Sequence, residues 1–213
     1  GWAQWWWLAF LVMTIAGERL ELSRLVRVSP AMTRRFVLIL GALLVATALA
    51  AWPAGQRLYG LALVALALWL LRQDVARRTV KADGLTRYIA VCLLAGYLWL
   101  ALGGVLLATW APQPGEVGWD ATVHAIALGF VFSMVFGHAP IILPAVLRLK
   151  VPYHWGFYLP LAALHASLAL RVAGDLGGHF AWRAHAALIN AAAIGLFLLM
   201  QLFTIAAARR RAA

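Results

Sequence analysis

Starting at Tyr88 the chain reads "YIAVCLLAGYLWLALGGVLLA", 21 residues without one charged side chain. At 1.5 Å per residue a helix of that length reaches about 31 Å, the thickness of the hydrocarbon layer of a bilayer. Six further apolar segments accompany it, at residues 2–16, 36–52, 58–71, 121–147, 155–172 and 184–207. None alternates apolar with polar residues as a lipid-facing barrel strand must, so helices are left to satisfy the backbone in lipid. The 213 residues are 65% hydrophobic and 12% charged, too apolar for a surface that faces water. The sequence predicts an all-α membrane bundle of seven transmembrane helices, one domain over 1–213.

The charges orient these spans. The formal net charge is +11, but the basic residues stand in short clusters between apolar runs, where juxtamembrane anchoring accounts for them and nucleic-acid binding is not implied. Arg19, Arg24, Arg27, Arg34 and Arg35 follow the first span, Arg72, Arg77, Arg78, Lys81 and Arg87 the third, Arg148 and Lys150 the fifth, and Arg209, Arg210 and Arg211 the seventh. The alternate side holds Arg57, Arg171 and Arg183 with Glu116, Asp120 and Asp175. The positive-inside rule then sets an extracytoplasmic N-terminus and a cytoplasmic C-terminus, as expected of a multi-pass protein of the bacterial inner membrane. Trp2, Trp5, Trp6, Trp7, Trp52, Trp110, Trp119, Trp155 and Trp182 fall near span ends, where indoles anchor at headgroup level. Cys92 stands alone in an apolar run, so no disulfide or thiolate cluster is expected. The start, "GWAQWWWLAF", lacks an initiator Met and a secretory pattern, and reads as part of a longer or processed chain.

Histidines interrupt the apolar pattern. In "HAIALGFVFSMVFGHAP", His124 and His138 are fourteen residues apart, which on an α-helix places them near one face but about 21 Å apart in depth, too far to share a metal ion. In the next span His165 stands near mid-depth with Ser167 close by and Tyr158 seven residues earlier on its face. Antiparallel spans then suggest an inner pair, His138 with His165, and an outer, metal-ligating group of His124, His179 and His185. Haem b, or haem with copper, would take an axial imidazole from such helices, with Arg171 and the outer indoles near its propionates and Tyr158 against it. Against this stands the plain reading that each imidazole is a core residue bonded to a backbone carbonyl.

Several local features have structural readings. Pro140 and Pro144 are expected to kink or break the fifth span just after His138. "GDLGG" is expected to end the helix that carries His165. Arg171 and Asp175 form an i,i+4 pair by spacing; Glu18 and Glu21 lie among Arg19, Arg24 and Arg27, and Asp74 beside Arg77 and Arg78, as local ion pairs.

"HAIALGFVFSMVFGHAP" followed by "LHASLALRV" resembles the later half of an NnrS-like bacterial polytopic membrane family, distantly related to the haem-copper oxidase subunit I fold. The resemblance spans roughly residues 120–175 and implies haem, with copper, in electron transfer or respiratory small-molecule chemistry. It also implies a redox partner or further membrane subunits beside the lipid bilayer. The oxidase signatures, an adjacent His pair and a His-x-His, are absent. Two other readings stay open: a transport or channel module lined by Ser133, His138, His165, Ser167 and Asn190, and a non-catalytic membrane scaffold.

Overall fold

The computed structural model describes residues 2–23, 29–148 and 153–212. Its helices are α1 (Ala3–Ser23), α2 (Pro30–Ala48), α3 (Pro53–Gln73), the single turn α4 (Ala76–Thr79), α5 (Gly84–Trp110), α6 (Val117–His124), α7 (Phe132–Leu147), α8 (Tyr158–Gly177) and α9 (Phe180–Ala212). A π-helix, Ala125–Val131, joins α6 to α7 without a break, and a 3-10 turn, Trp155–Phe157, leads into α8. No strand occurs among the described residues. Each of the seven apolar segments falls on one long helical unit.

Six of these units are long and apolar enough to cross a membrane: α2, α3, α5, α6 to α7, α8 with its 3-10 turn, and α9. The first, α1, is not among them, since Gln4, Glu18, Arg19 and Glu21 dilute its 21 residues. Arg24, Arg27 and Lys150 lie outside the described residues.

Local chemistry sets the ends. Ser29 caps α2 by accepting the Met32 N–H at 3.3 Å, with Pro30 in the first turn, where its missing N–H costs nothing. α3 opens the same way on Pro53. "GDLGG" does end α8: Gly178 takes the left-handed conformation (φ +69°) and α9 starts at Phe180. The prolines do not break α7, which runs unbroken through Pro140 and Pro144 to Leu147. The irregularity lies upstream, in the π-helix, where the sequence carries no proline.

α5 is the central strut, with α3 on one side and the α6–π–α7 unit on the other; α8 packs on α6 and the π-helix, and α9 on α8. A methyl on Gly60 would overlap the backbone of Gly104 and Ala108, so two small residues let α3 and α5 touch backbone to backbone. Trp5 leans on Tyr59 and Trp119, and the Tyr59 hydroxyl donates to the Trp5 carbonyl at 3.2 Å, so the starts of α1, α3 and α6 lie at one end of the bundle. Trp5 and Trp119 are thus core residues, while the other seven span-end tryptophans are exposed.

At the opposite end Asp74 does not pair within its own cluster. It accepts from the Tyr97 hydroxyl at 2.8 Å and the Ala76 N–H at 2.7 Å, with Arg19 at 4.0 Å, all buried. The Arg77 guanidinium instead donates to the Arg72 carbonyl. Spacing along one helix could not show that α1 and α3 exchange these charges. Val37 and Leu38 on α2 and Leu188, Leu199 and Phe203 on α9 turn outward, an apolar surface suited to a lipid bilayer.

Candidate functional site

Three groups of buried polar side chains mark the helices α5 to α9. The first lies at mid-depth, where a methyl on Gly129 would overlap Cβ and Cγ of Trp99, so the glycine lets this indole lie against the π-helix. The Trp99 Nε1–H donates to His165 Nδ1 at 2.9 Å, the two rings nearly parallel at 9°. Indole nitrogen is only a donor, so Nδ1 must be the acceptor and the neutral imidazole carries its proton on Nε2. That Nε2–H is buried and meets no hydrogen-bond acceptor among the described residues. Ser133 returns its hydroxyl to the Gly129 carbonyl in the same widened turn. π-turns of this kind are frequent at functional sites.

The second group closes one end of the bundle. Asp120, in the first turn of α6, receives a fork from Arg171 of α8: Nε to Oδ2 at 3.1 Å and Nη2 to Oδ1 at 3.2 Å. Arg183 of α9 approaches Asp120 at 3.6 Å and Asp175 at 3.3 Å, and His124 lies 3.4 Å from Asp120. Arg171 therefore pairs across helices with Asp120, not with Asp175 one turn away. Asp175, its side chain fully buried, has Arg183 at ion-pair distance, but neither carboxylate oxygen accepts an aligned hydrogen bond. Two carboxylates and two guanidiniums balance, so the cluster is neutral when His124 is neutral.

The third group is a seam between α8 and α9. Arg183, Asn190 and Gln201 are seven and eleven residues apart, each within about 20° of whole helical turns, and so line one stripe about 27 Å long. Beyond half-buried Arg183 that stripe is buried, with Asn190 at 4% and Gln201 at 2% exposure, and Ala186, Ala193 and Phe197 fill its remaining positions. Facing it, α8 presents Ser167, Arg171 and Asp175 at intervals of four. Ser167 Oγ lies 2.6 Å from both the Ala163 carbonyl and the Asn190 amide, and its single proton serves one of them. Turning the Asn190 amide so that its nitrogen donates to Ser167 satisfies both contacts and leaves only the amide oxygen open. Both amide atoms of Gln201 lack a partner among the described residues. Between Asn190 and Gln201 on the stripe, Phe197 stacks on Phe136 of α7 at 3.9 Å, an apolar interruption between the two amides.

With this geometry established, a family model described as a domain of unknown function, DUF8744, matches residues 3–206. The chain belongs to the DUF8744 family. No curated protein and no solved structure matches it.

This DUF8744 chain distributes its sequence-predicted site residues over the whole depth of the bundle. His165 shares the level of Trp99 and Gly129, whereas His138 lies nine residues beyond Gly129, roughly 13 Å deeper. The structure does not join the two, and no ring or hydrogen-bond contact links them. His138 is tied to its own helix, Nδ1–H to the Met134 carbonyl at 2.7 Å. Of the outer histidines, His124 belongs to the ion cluster, His179 leans on Trp182 at 4.7 Å, and the exposed His185 bonds the Ala181 carbonyl at 2.6 Å. Among the described residues no three His, Cys, Asp or Glu gather as a metal site would require.

Tyr158 sits at the opposite end from the ion cluster, edge-on to Tyr88 at 5.2 Å. With Asp83, Arg87, Tyr153 and Trp155 it lines a cavity of about 380 Å³. There burial, with the neighbouring Tyr158, pushes the Tyr153 hydroxyl up to about 12, so it stays a neutral donor. As an axial ligand His165 fits poorly in this arrangement, since ligation through Nε2 would move its proton to Nδ1, against the indole N–H. His124, His138 and His185 each hand Nδ1–H to a carbonyl, which leaves a lone pair on Nε2, the arrangement a ligating imidazole needs. Sequence reading passed over Gln201 and the pairing of Arg183, although a lone amide in "LFLLMQLFTI" spaced eleven residues from Asn190 was a usable signal.

Proposed function

We propose that this DUF8744 chain is a transport module whose path for protons or a small polar solute follows the seam between α8 and α9, with the Phe136–Phe197 stack as its closure. The observation that carries this reading is the polar stripe that runs from half-buried Arg183 to the buried amides Asn190 and Gln201 on a largely apolar helix. Leaving a polar group unpaired in an apolar interior costs roughly 1–3 kcal/mol, and open groups aligned across a membrane are what a polar pathway offers its cargo. Apolar constrictions that gate by excluding water are a known device of such paths. The basic clusters support seven spans in a bacterial cytoplasmic membrane, the ion cluster facing outward with the N-terminus and the C-terminus inside.

The test is flux into vesicles reconstituted with the protein, read for protons with an entrapped pH dye and for neutral solutes by swelling. Asn190→Leu is expected to lower flux about tenfold, the equivalent of one lost hydrogen bond near 1.4 kcal/mol, and Phe197→Ala to raise it. Wild-type vesicles that pass neither protons nor solutes, or an Asn190→Leu variant as active as wild type, would refute the path.

A second reading rests on His138. Its Nδ1–H bond to Met134 leaves Nε2 free to ligate, so haem b bound through His138, the expectation that accompanies the NnrS-like resemblance, keeps one axial imidazole. When bound, haem would supply one-electron chemistry and call for a redox partner. A Soret band lost in His138→Ala and retained in His165→Ala supports this reading; purified protein without a Soret band or bound iron or copper ends it.

A further inference from the structure

The two carboxylates at the end of the seam are unequal. Asp120 is held by the Arg171 fork, by Arg183 at 3.6 Å and by His124 at 3.4 Å. Asp175 has only Arg183, at 3.3 Å, and neither of its oxygens accepts a hydrogen bond, although the side chain is completely buried. The two carboxylates nevertheless converge on one guanidinium, Arg183, which lies 3.6 Å from Asp120 and 3.3 Å from Asp175. Two carboxylates have no hydrogen to place between them; one added proton supplies it. Around Asp175, Arg183 of α9 is shared with Asp120 of α6, Arg171 lies one turn earlier on α8, His124 bears on Asp120, and the His179 ring lies against Gly177.

We infer that Asp175 is the proton-loading site of this chain and that the species moved along the seam is H⁺. This deepens the transport reading and rests on it for the direction of flow. Hydronium at the ion-cluster end gives one proton to the Asp175 carboxylate and leaves as water. The new carboxylic O–H donates to Asp120, which keeps its charge because two guanidiniums hold it. The cluster changes from neutral to +1, and the charge is discharged when the proton passes to water on the seam beside Ser167 and Asn190, restoring the Asp175 carboxylate. The Asp120–Arg171 fork is the fixed part of the site and Asp175 the part that cycles.

The experiment uses the whole chain in vesicles, with infrared difference spectra recorded over a pH series and proton flux measured on the same preparations. Wild type should show a carbonyl band of a protonated carboxyl that grows as pH falls, shifts on labelling aspartate with carbon-13 and is lost in Asp175→Asn. Asp175→Glu should keep the band at a shifted frequency, which guards against a variant that fails to fold. Proton flux should fall about tenfold in Asp175→Asn and recover in Asp175→Glu. No titrating band in wild type, or one that survives in Asp175→Asn, overturns the inference. Flux that persists in Asp175→Asn but stops in Asn190→Leu overturns it and leaves the path standing. A band lost in Asp175→Asn in a protein that moves nothing upholds the proton site and defeats the path.

Discussion

Asp120→Asn is nearly isosteric and removes the negative charge on which Arg171 and Arg183 converge. Removing one partner of a buried pair costs roughly 3–5 kcal/mol, whereas exposed pairs contribute about 0.2–1 kcal/mol. Here the Arg171 side chain is 11% exposed and that of Asp120 20%. Two fork bonds and near-complete cover place the loss towards the buried limit, and partial solvent access discounts it to about 2–3 kcal/mol. For a chain of this length that is a fall of about 4–12 °C in the unfolding midpoint. Intrinsic tryptophan fluorescence at a fixed heating rate in detergent reads this directly. The decisive measurement is the double-mutant cycle with Arg171→Gln, where the structure requires a coupling of about 1–2 kcal/mol. Stability losses that simply add, to within about 0.5 kcal/mol, would mean that the α6–α8 fork does not exist in the folded protein.

Other consequences follow from the same contacts. In Trp99→Phe the proton on His165 is no longer fixed to Nε2, so nitrogen-15 NMR of labelled histidine should change from a single Nε2–H tautomer to a mixture; an unchanged spectrum would remove the indole from that role. Gly129→Ala should destabilise by about 1–3 kcal/mol through overpacking against Trp99, and Trp99→Leu should recover part of the loss in a thermal melt. Asp74→Asn should weaken the buried contacts with Arg19 and Tyr97 by about 1–3 kcal/mol, a loss that Arg77→Gln should not reproduce.

What the chain's letters disclose is largely what single helices can disclose. The uncharged run beginning at Tyr88, the paired glycines that close α8 and the apolar faces of α2 and α9 are local or one-dimensional properties, and each has its counterpart in the fold. Partners across helices are not of that kind. Arg171 has Asp175 one turn away in sequence, yet its fork goes to Asp120, 51 residues earlier, because α8 lies against the first turn of α6. Asp74 likewise passes over Arg77 and Arg78 for Arg19 on α1 and Tyr97 on α5. Antiparallel spans suggest His165 and His138 as an inner pair with His138 somewhat closer to the cytoplasm, whereas the shared position of His165, Trp99 and Gly129 sets His138 roughly 13 Å away along the bundle. The one cross-helix feature open to sequence reading was the stripe on α9, since spacings of seven and eleven keep Asn190 and Gln201 on a common face whatever the partner.

The π-helix at Ala125–Val131 changes how the fifth apolar segment counts. A widened turn holds more than 3.6 residues, so angles reckoned along a uniform α-helix from His124 to His138 overstate the rotation between them. The segment behaves as a helix with a spare residue stored in its middle. Its two halves, one carrying Asp120 and His124 and the other His138 and the prolines, are set at a relative angle that uniform winding would not give. Rewound as plain α-helix with every residue kept, the stretch would turn one half by about 100° against the other, whereas deleting Leu128 would remove the spare residue and leave the halves at nearly their present angle. The winding of this one stretch, and no side chain at either end, thus sets the azimuth of the ion cluster relative to everything beyond mid-membrane.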